Sequence, residues 1–370
     1  MTRALTGGVF GTSNATDDFA DLRRLAEDIG TRSFDRRIGH RTLPDAFDHT
    51  AWRHLEDAGL TRLTSDPESG GGPAELALVL RALARHAVTV PLAETDLLAG
   101  WLAARAGLEV PDTGSLTLAV GDAKTAGLRN VPYAGDADAV VIALRDGESL
   151  RVAVASPADL LIASGSNLGG EPRDTVRVDL PADAFVTVDA AAELDRRGAW
   201  ARCVQALGAL DAAVEYSVAH TRERVQFGRP LSAFQAVQHT LASMAGEVER
   251  ARAAAELAVA AAAEHGFDSA QTDYAVTVAK VVLGRVVPTV VTAAHQLHGA
   301  IGVTIEHRLW LATMRARSWV DEFGDTALHA RRLGRMALAA ARDGNPWDLV
   351  VGSGTSWTYR SDRPIRLTGG

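Results

Sequence analysis

Along the chain, apolar and polar positions alternate in three different textures. From about residue 18 to 110, apolar residues recur three and four apart, as in Phe19, Leu22, Leu25, Ala26 and Ile29, which places them on one face of a helix. Similar segments run from Ala46 to about Leu60 and from Ala74 to about Ala87, each closed by Pro, Gly or Asp. From about 113 to 190 the pattern shortens to apolar and β-branched runs: Leu116, Leu118 and Val120; Ala139 to Leu144; Arg151 to Ala155; Thr175, Val176 and Val178; Phe185 to Val188. Runs of this kind between Gly, Pro, Asp and Ser clusters predict an antiparallel sheet or a small barrel. From 191 to about 345 long helical stripes return, one through Val204, Leu207, Leu210, Ala213, Val214 and Val218, another through Val237, Leu241, Met244 and Val248. Long helices with short joints pack as an antiparallel bundle. The expected fold is mainly α with an inserted β domain: a helical domain over 1–112, a β domain over 113–190, a bundle over 191–345 and a tail over 346–370. The tail, rich in Gly, Ser, Thr and Arg, is expected to dock on a neighbour or to stay mobile.

Composition narrows the function classes. The 370 residues suffice for two or three domains. With 47% hydrophobic and 23% charged residues, wholesale disorder is excluded. The formal charge of -8, from 38 Lys plus Arg against 46 Asp plus Glu, argues against a nucleic-acid binder that would release counterions from phosphate. A ligand carrying phosphates is not excluded. The lone Cys203 rules out an internal disulfide framework and a multi-cysteine metal site. The N-terminal MTRALTGGVFGTSNATDDF has no continuous apolar core of a secretory signal, and the apolar run near 257–263 is too short for a bilayer. A cytoplasmic protein without a membrane partner is expected.

Two segments could carry chemistry. The first runs Arg222-Glu223-Arg224-Val225-Gln226-Phe227-Gly228-Arg229-Pro230, followed by Phe234-Gln235. Gly228 and Pro230 read as a helix stop, and the crowded guanidinium groups suit a bidentate hold on an anionic cofactor. The second runs from Gln296 through Leu297, His298, Gly299, Ala300, Ile301 and Gly302 to His307. Its glycines expose backbone amides that could receive an anion or a flat ring. His295 and His298 lie one turn apart, but no third metal ligand or H-E-x-x-H motif accompanies them. No metal is expected, and these histidines are read as polar contacts around a cofactor or partner. The Ser69 to Pro73 glycine run lacks a P-loop lysine, and no Gly-x-Ser-x-Gly elbow is present.

Together the two segments make the chain resemble the acyl-CoA dehydrogenase family, whose members join an N-terminal helical domain, a middle β domain and a C-terminal four-helix bundle. The resemblance implies FAD as cofactor. It makes Arg224, Phe227 and Gln235 contacts to the FAD diphosphate of a neighbouring subunit, and it puts Gln296, Gly299 and Ala300 on the adenosine side. It also implies an acyl-CoA substrate, α-proton abstraction by a glutamate with hydride transfer to flavin, a dimeric or tetrameric assembly, and an electron-accepting flavoprotein.

The sequence departs from the family where the base belongs. The usual place is just before the glycine that follows the Gln-x-x-Gly turn by one helix; aligned on Gly324, that place holds Phe323. The alternative place, counted back from Arg224, falls near Gly198. Glu322 and Asp325 flank the first place and are the candidate bases. The stretch from Leu116 to Val141 lacks the family's Thr-Glu-Pro-Gly-like and Trp-Ile-Thr-like segments, while Val131-Pro132-Tyr133 and Ala137-Asp138 resemble shortened members. This combination is similar to one partner of the heteromeric bacterial acyl-CoA dehydrogenases, some of which act on steroid side-chain thioesters. The expected function is an FAD-dependent acyl-CoA dehydrogenase or a subunit of one. The alternatives are a non-catalytic subunit that completes a partner's FAD site, and a flavin-dependent oxidase or monooxygenase on the same fold.

Overall fold

A computed structural model of the chain describes residues 19–37, 39, 43–122, 127–344 and 350. The tail expected over 346–370 lies outside the described residues except for Val350. The first layer consists of α1 (Ala20–Arg37), α2 (His49–Asp57) and α3 (Pro73–Arg85). Each starts or ends on local chemistry. Asp48 Oδ1 accepts from the Ala51 amide at 2.9 Å to open α2, and Pro73 at the first turn with Glu75 accepting from the Gly72 amide opens α3.

The amphipathic reading passed over the next element, a π-helical segment at Ala93–Gly100 that runs into α4 (Trp101–Ala106). All eight of its residues are buried, so it shows no polar face. Its polar side chains are satisfied internally: Asp96 accepts from the Thr64 and Ser65 amides, and Thr95 bridges the Leu116 amide and carbonyl at 2.9 Å.

The middle region forms β1 (Leu116–Asp122), β2 (Leu128–Pro132), β3 (Ala139–Asp146), β4 (Ser149–Ala155), β5 (Leu161–Ala163), β6 (Arg173–Arg177) and β7 (Val186–Val188). These make two sheets, ordered β1-β3-β4-β7 and β2-β6-β5. Between them lies a core that includes Ala119, Leu128, Val131, Val140, Ile142 and Val176. The expectation of purely antiparallel pairing fails at one place, because β1 and β3 run parallel from Leu116↔Ala139 to Asp122↔Arg145. Parallel neighbours need a crossover. Here the chain leaves the first sheet to make β2 in the second and then returns.

The C-terminal region holds α5 (Ala191–Glu223), a hairpin of β8 (Val225–Gln226) and β9 (Arg229–Pro230), α6 (Gln235–His265), α7 (Ala270–His298), α8 (Arg308–Trp319) and α9 (Thr326–Asp343). Helices α5, α6 and α7 pack on one another, α8 lies against α5, and α9 lies against α7. Gly228 is not the helix cap that its position suggested. Helix α5 already ends at Glu223, and Phe227 and Gly228, at φ 50° and 77°, form the tight turn of the hairpin. Two consecutive residues with positive φ are what a twisted two-residue hairpin requires.

Helix α7 is long and apolar enough to cross a membrane by length and composition, which the run-length reading of the sequence did not find. Its apolarity has another source: Val286, Val287, Val290 and Ala294 are buried within the bundle core. Cys203, on α5, is likewise buried. Burial pushes its thiol up to about 12, as befits a packing residue.

Candidate functional site

A cavity of about 810 Å³ opens where the sheets, the π-helical segment, α5, α7 and the α8–α9 joint meet. Leu118, Val120 and Pro132 form its sheet side, and Leu98, Ala199 and Phe323 part of its helical side. Charged groups line the same space.

Glu322 is at their centre. Its Oε1 accepts from Arg173 Nε at 3.1 Å and Nη2 at 3.0 Å, and its Oε2 accepts from Arg202 Nε at 2.5 Å. Arg202 also donates from Nη2 to Glu94 at 2.5 Å and from Nη1 to Gln205 at 2.6 Å. Arg173 reaches Glu171 at 3.3 Å, and Arg315, 4.0 Å from Glu171, binds Asp45 at 2.9 Å. One chain of alternating charges thus links the segment before α2, α8, β6, the α8–α9 joint, α5 and the π-helical segment. Arg173 and Arg202 are only 5% and 2% exposed, so each depends on its carboxylates for compensation. Burial raises the Glu322 carboxyl, but Arg173 and Arg202 outweigh it and hold the group below the ordinary carboxylate range. With both oxygens committed and its basicity lowered, Glu322 is a poor proton acceptor.

Asp325, the other candidate base, has a different task. Its Oδ1 accepts from the Leu328 amide at 2.7 Å and caps α9, and it does not line the cavity.

The two places where the base was expected meet in space. A Cβ on Gly198 would lie 2.3 Å from the Phe323 ring, so the ring fills the room over that glycine. Phe323 sits at φ 54° and Gly324 at φ 98°. This turn is clamped by His329 Nε2, 3.1 Å from the Phe323 carbonyl. Buried Lys280 also holds it, donating to the Val320 and Glu322 carbonyls at 2.6 and 2.7 Å. One position offers an aromatic ring and the other no side chain at all.

The six candidate cofactor residues lie away from this cavity, on a separate corner. Arg224 ends α5, Phe227 at the hairpin tip is 91% exposed, and Gln235 opens α6. The hairpin and the start of α6 are tied by the Leu231 amide on the Arg224 carbonyl at 2.8 Å and by an edge-on contact of Phe227 with Phe234. Gln296 lies in the last turn of α7, and Gly299 and Ala300 follow it. The two groups are joined through His220, whose ring stacks on His298 with centroids 4.4 Å apart.

This donor set fits the diphosphate and flat rings of FAD: an exposed guanidinium, two exposed amides and an exposed aromatic ring. Gly299, at φ 66°, has no atom within 4 Å of a Cβ position and lets a ligand approach the backbone. All six residues are exposed on this chain.

Sequence reasoning missed the arginines of the cavity. Arg202 had a visible signal, a cation inside the apolar run Ala199 to Leu207. Arg173 and Glu94 had none, since their partners lie far away in sequence.

Residues 191–338 match the family model described as "Acyl-CoA dehydrogenase, C-terminal domain". The chain is 30% identical over 277 residues to the acyl-CoA dehydrogenase IpdE2 of Mycobacterium tuberculosis, covering 73% of this chain and 81% of that protein. Its fold is similar to the ChsE4–ChsE5 complex from Mycobacterium tuberculosis, with a TM-score of 0.74 at 23% identity over 90% of this chain and 99% of that chain. It is also similar to a variant of the Tcur3481–Tcur3483 steroid ACAD, with a TM-score of 0.73 at 25% identity over 87% and 98% of the two chains. Cavity, corner and relatives agree: the chain belongs to the acyl-CoA dehydrogenase family, whose cofactor is FAD.

Proposed function

We propose that this chain is the FAD-completing subunit of a heteromeric acyl-CoA dehydrogenase, and that a second chain supplies the catalytic base. The carrying observation is the Phe323 ring seated on Gly198 beside a Glu322 whose two oxygens are held by arginines. An α,β-desaturation needs a group that takes the α-proton, and removing a general base typically lowers the rate about 10²- to 10⁴-fold. Bound FAD supplies the hydride acceptor.

This chain's residues do the holding. Arg224 would pair with the diphosphate of FAD, Gln235 and Gln296 would offer their amides, Phe227 would cover an apolar face, and Gly299 and Ala300 would leave room for close backbone approach. These groups are all exposed on this chain, and a second chain closes the site. The two-chain complexes among the structural relatives, one of them a steroid enzyme by its description, support this reading. An acyl-CoA thioester is the substrate, and the electrons pass on to a separate acceptor.

Native mass spectrometry of the chain co-expressed with a second acyl-CoA dehydrogenase chain of the same genome tests the reading. A mixed assembly that alone retains FAD is expected. A homomer of this chain with FAD in every subunit would overturn it.

A further inference from the structure

Three imidazoles meet where α5 ends, α7 ends and α8 begins. His220 lies flat on His298 at 4.4 Å with 21° between the planes, and His307 meets His298 edge-on at 5.1 Å. His298 is 6% exposed. Its Nδ1–H donates to the Ala294 carbonyl at 2.8 Å, which leaves a bare Nε2 that is buried without a hydrogen-bond partner. His307 accepts the Leu309 amide on Nδ1 at 3.2 Å and so caps α8 in its neutral form. Gly302 makes the fit possible, since a Cβ there would come 2.7 Å from the His298 Cβ.

The charged groups facing the stack do not compensate a proton. Arg224 and Glu223 stand on α5 beside His220, Arg308 adjoins His307, and Arg317 on α8 faces His295, the next histidine along α7. Among the described residues that act on these rings, cations outnumber the one acid, Glu223. Burial and the neighbouring cations push His220, His295 and His307 down from the ordinary imidazole range, with Glu223 opposing the effect at His220. Burial also pushes His298 to about 4, with the other rings adding to the effect.

We propose that the His220–His298–His307 stack is an acid-sensitive latch, which holds the end of α5 to the turn after α7 while its rings are neutral and releases them when a ring takes a proton. A proton on any ring puts a cation against its neighbours and Arg224, with Glu223 beside His220 as the opposing carboxylate. The latch itself does not rest on the function proposed above. Under that reading it has one consequence: Arg224 on one arm and Gln296, Gly299 and Ala300 on the other part company in acid, and the corner loses its grip on cofactor and partner.

Hydrogen exchange on the full chain, corrected at each pH for the intrinsic exchange rate, tests the latch without any cofactor. Protection of amides 218–228 and 296–308 is expected to fall by about tenfold or more between pH 7.5 and 5, while α1 to α3 keep theirs. In the triple variant His220→Gln, His298→Gln, His307→Asn, where glutamine at 298 keeps an amide N–H for the Ala294 carbonyl and asparagine retains a helix-capping oxygen, the acid loss should shrink to less than half on a logarithmic scale. Protection in α1 to α3 reports that the variant is folded. Equal protection of the corner at both pH values, or an undiminished acid loss in the folded triple variant, would overturn the latch.

Discussion

Phe323 and Gly198 occupy one space, the ring of the first standing where the side chain of the second would begin. The ring is held there by a left-handed backbone at Phe323 and Gly324, by His329 on its carbonyl, and by Lys280 on the carbonyls either side of Asp321. Gly198→Ala should therefore expel the ring and lower stability by about 1–3 kcal/mol, an overpacking effect. Gly246→Ala is the control. No atom lies within 4 Å of its Cβ position on α6, and it should raise stability by about 0.5–1 kcal/mol. Thermal or urea unfolding of both variants checks the pair.

Glu322→Gln should destabilise the chain by roughly 3 kcal/mol, because it leaves buried Arg173 and Arg202 short of a counter-charge. A base lost from an otherwise intact site would leave the unfolding midpoint where it was. Denaturant unfolding separates the two roles.

The same carboxylate sets part of the acid limb. Glu322 titrates below the ordinary 4.5 in the folded chain, so its contribution is fully present above that value and is lost as pH falls through the lower folded one. His298 adds loss at higher pH. Its folded value of about 4 lies below the ordinary 6.5, so the unfolded chain binds the extra proton between them and stability falls as pH drops from 6.5 towards 4. Unfolding curves from pH 8 to 4 should show the decline starting near 6.5, and Glu322→Gln should flatten the portion below about 4.5.

Arg224→Ala should weaken FAD retention in the assembled complex by about tenfold or more, the loss of a charge-assisted phosphate contact. The melting point of the chain alone should hardly move, since Arg224 is exposed. Flavin absorbance after gel filtration reads the first effect. Unchanged FAD occupancy would refute the cofactor assignment.

Much of this was legible in the sequence. The helical spacing of Phe19 to Ile29 marks a real helix because α1 buries one face and exposes the other, while the stripe Val204 to Val218 falls on α5, which is buried on nearly all sides up to Ala213. The alignment on Gly324 singled out Phe323 and the count back from Arg224 singled out Gly198, though neither showed that they touch. The π-helical segment stayed hidden because burial on all sides erases its period. The parallel β1–β3 pair did too, because strand order is decided by packing between sheets and not within a strand. Glu322 reads as an ordinary helix-end acid in sequence. Its partners Arg173 and Arg202 lie 149 and 120 residues away, and only the closed fold reveals that its charge is spent on them.

The visible spectrum of the purified chain, alone and co-expressed with its second chain, titrated anaerobically with acyl-CoAs, tests directly whether the base and the flavin come with a second subunit. No stoichiometric flavin and no bleaching are expected for the chain alone, with both appearing in the mixed assembly. A chain that binds FAD by itself and bleaches on adding an acyl-CoA would contradict that expectation.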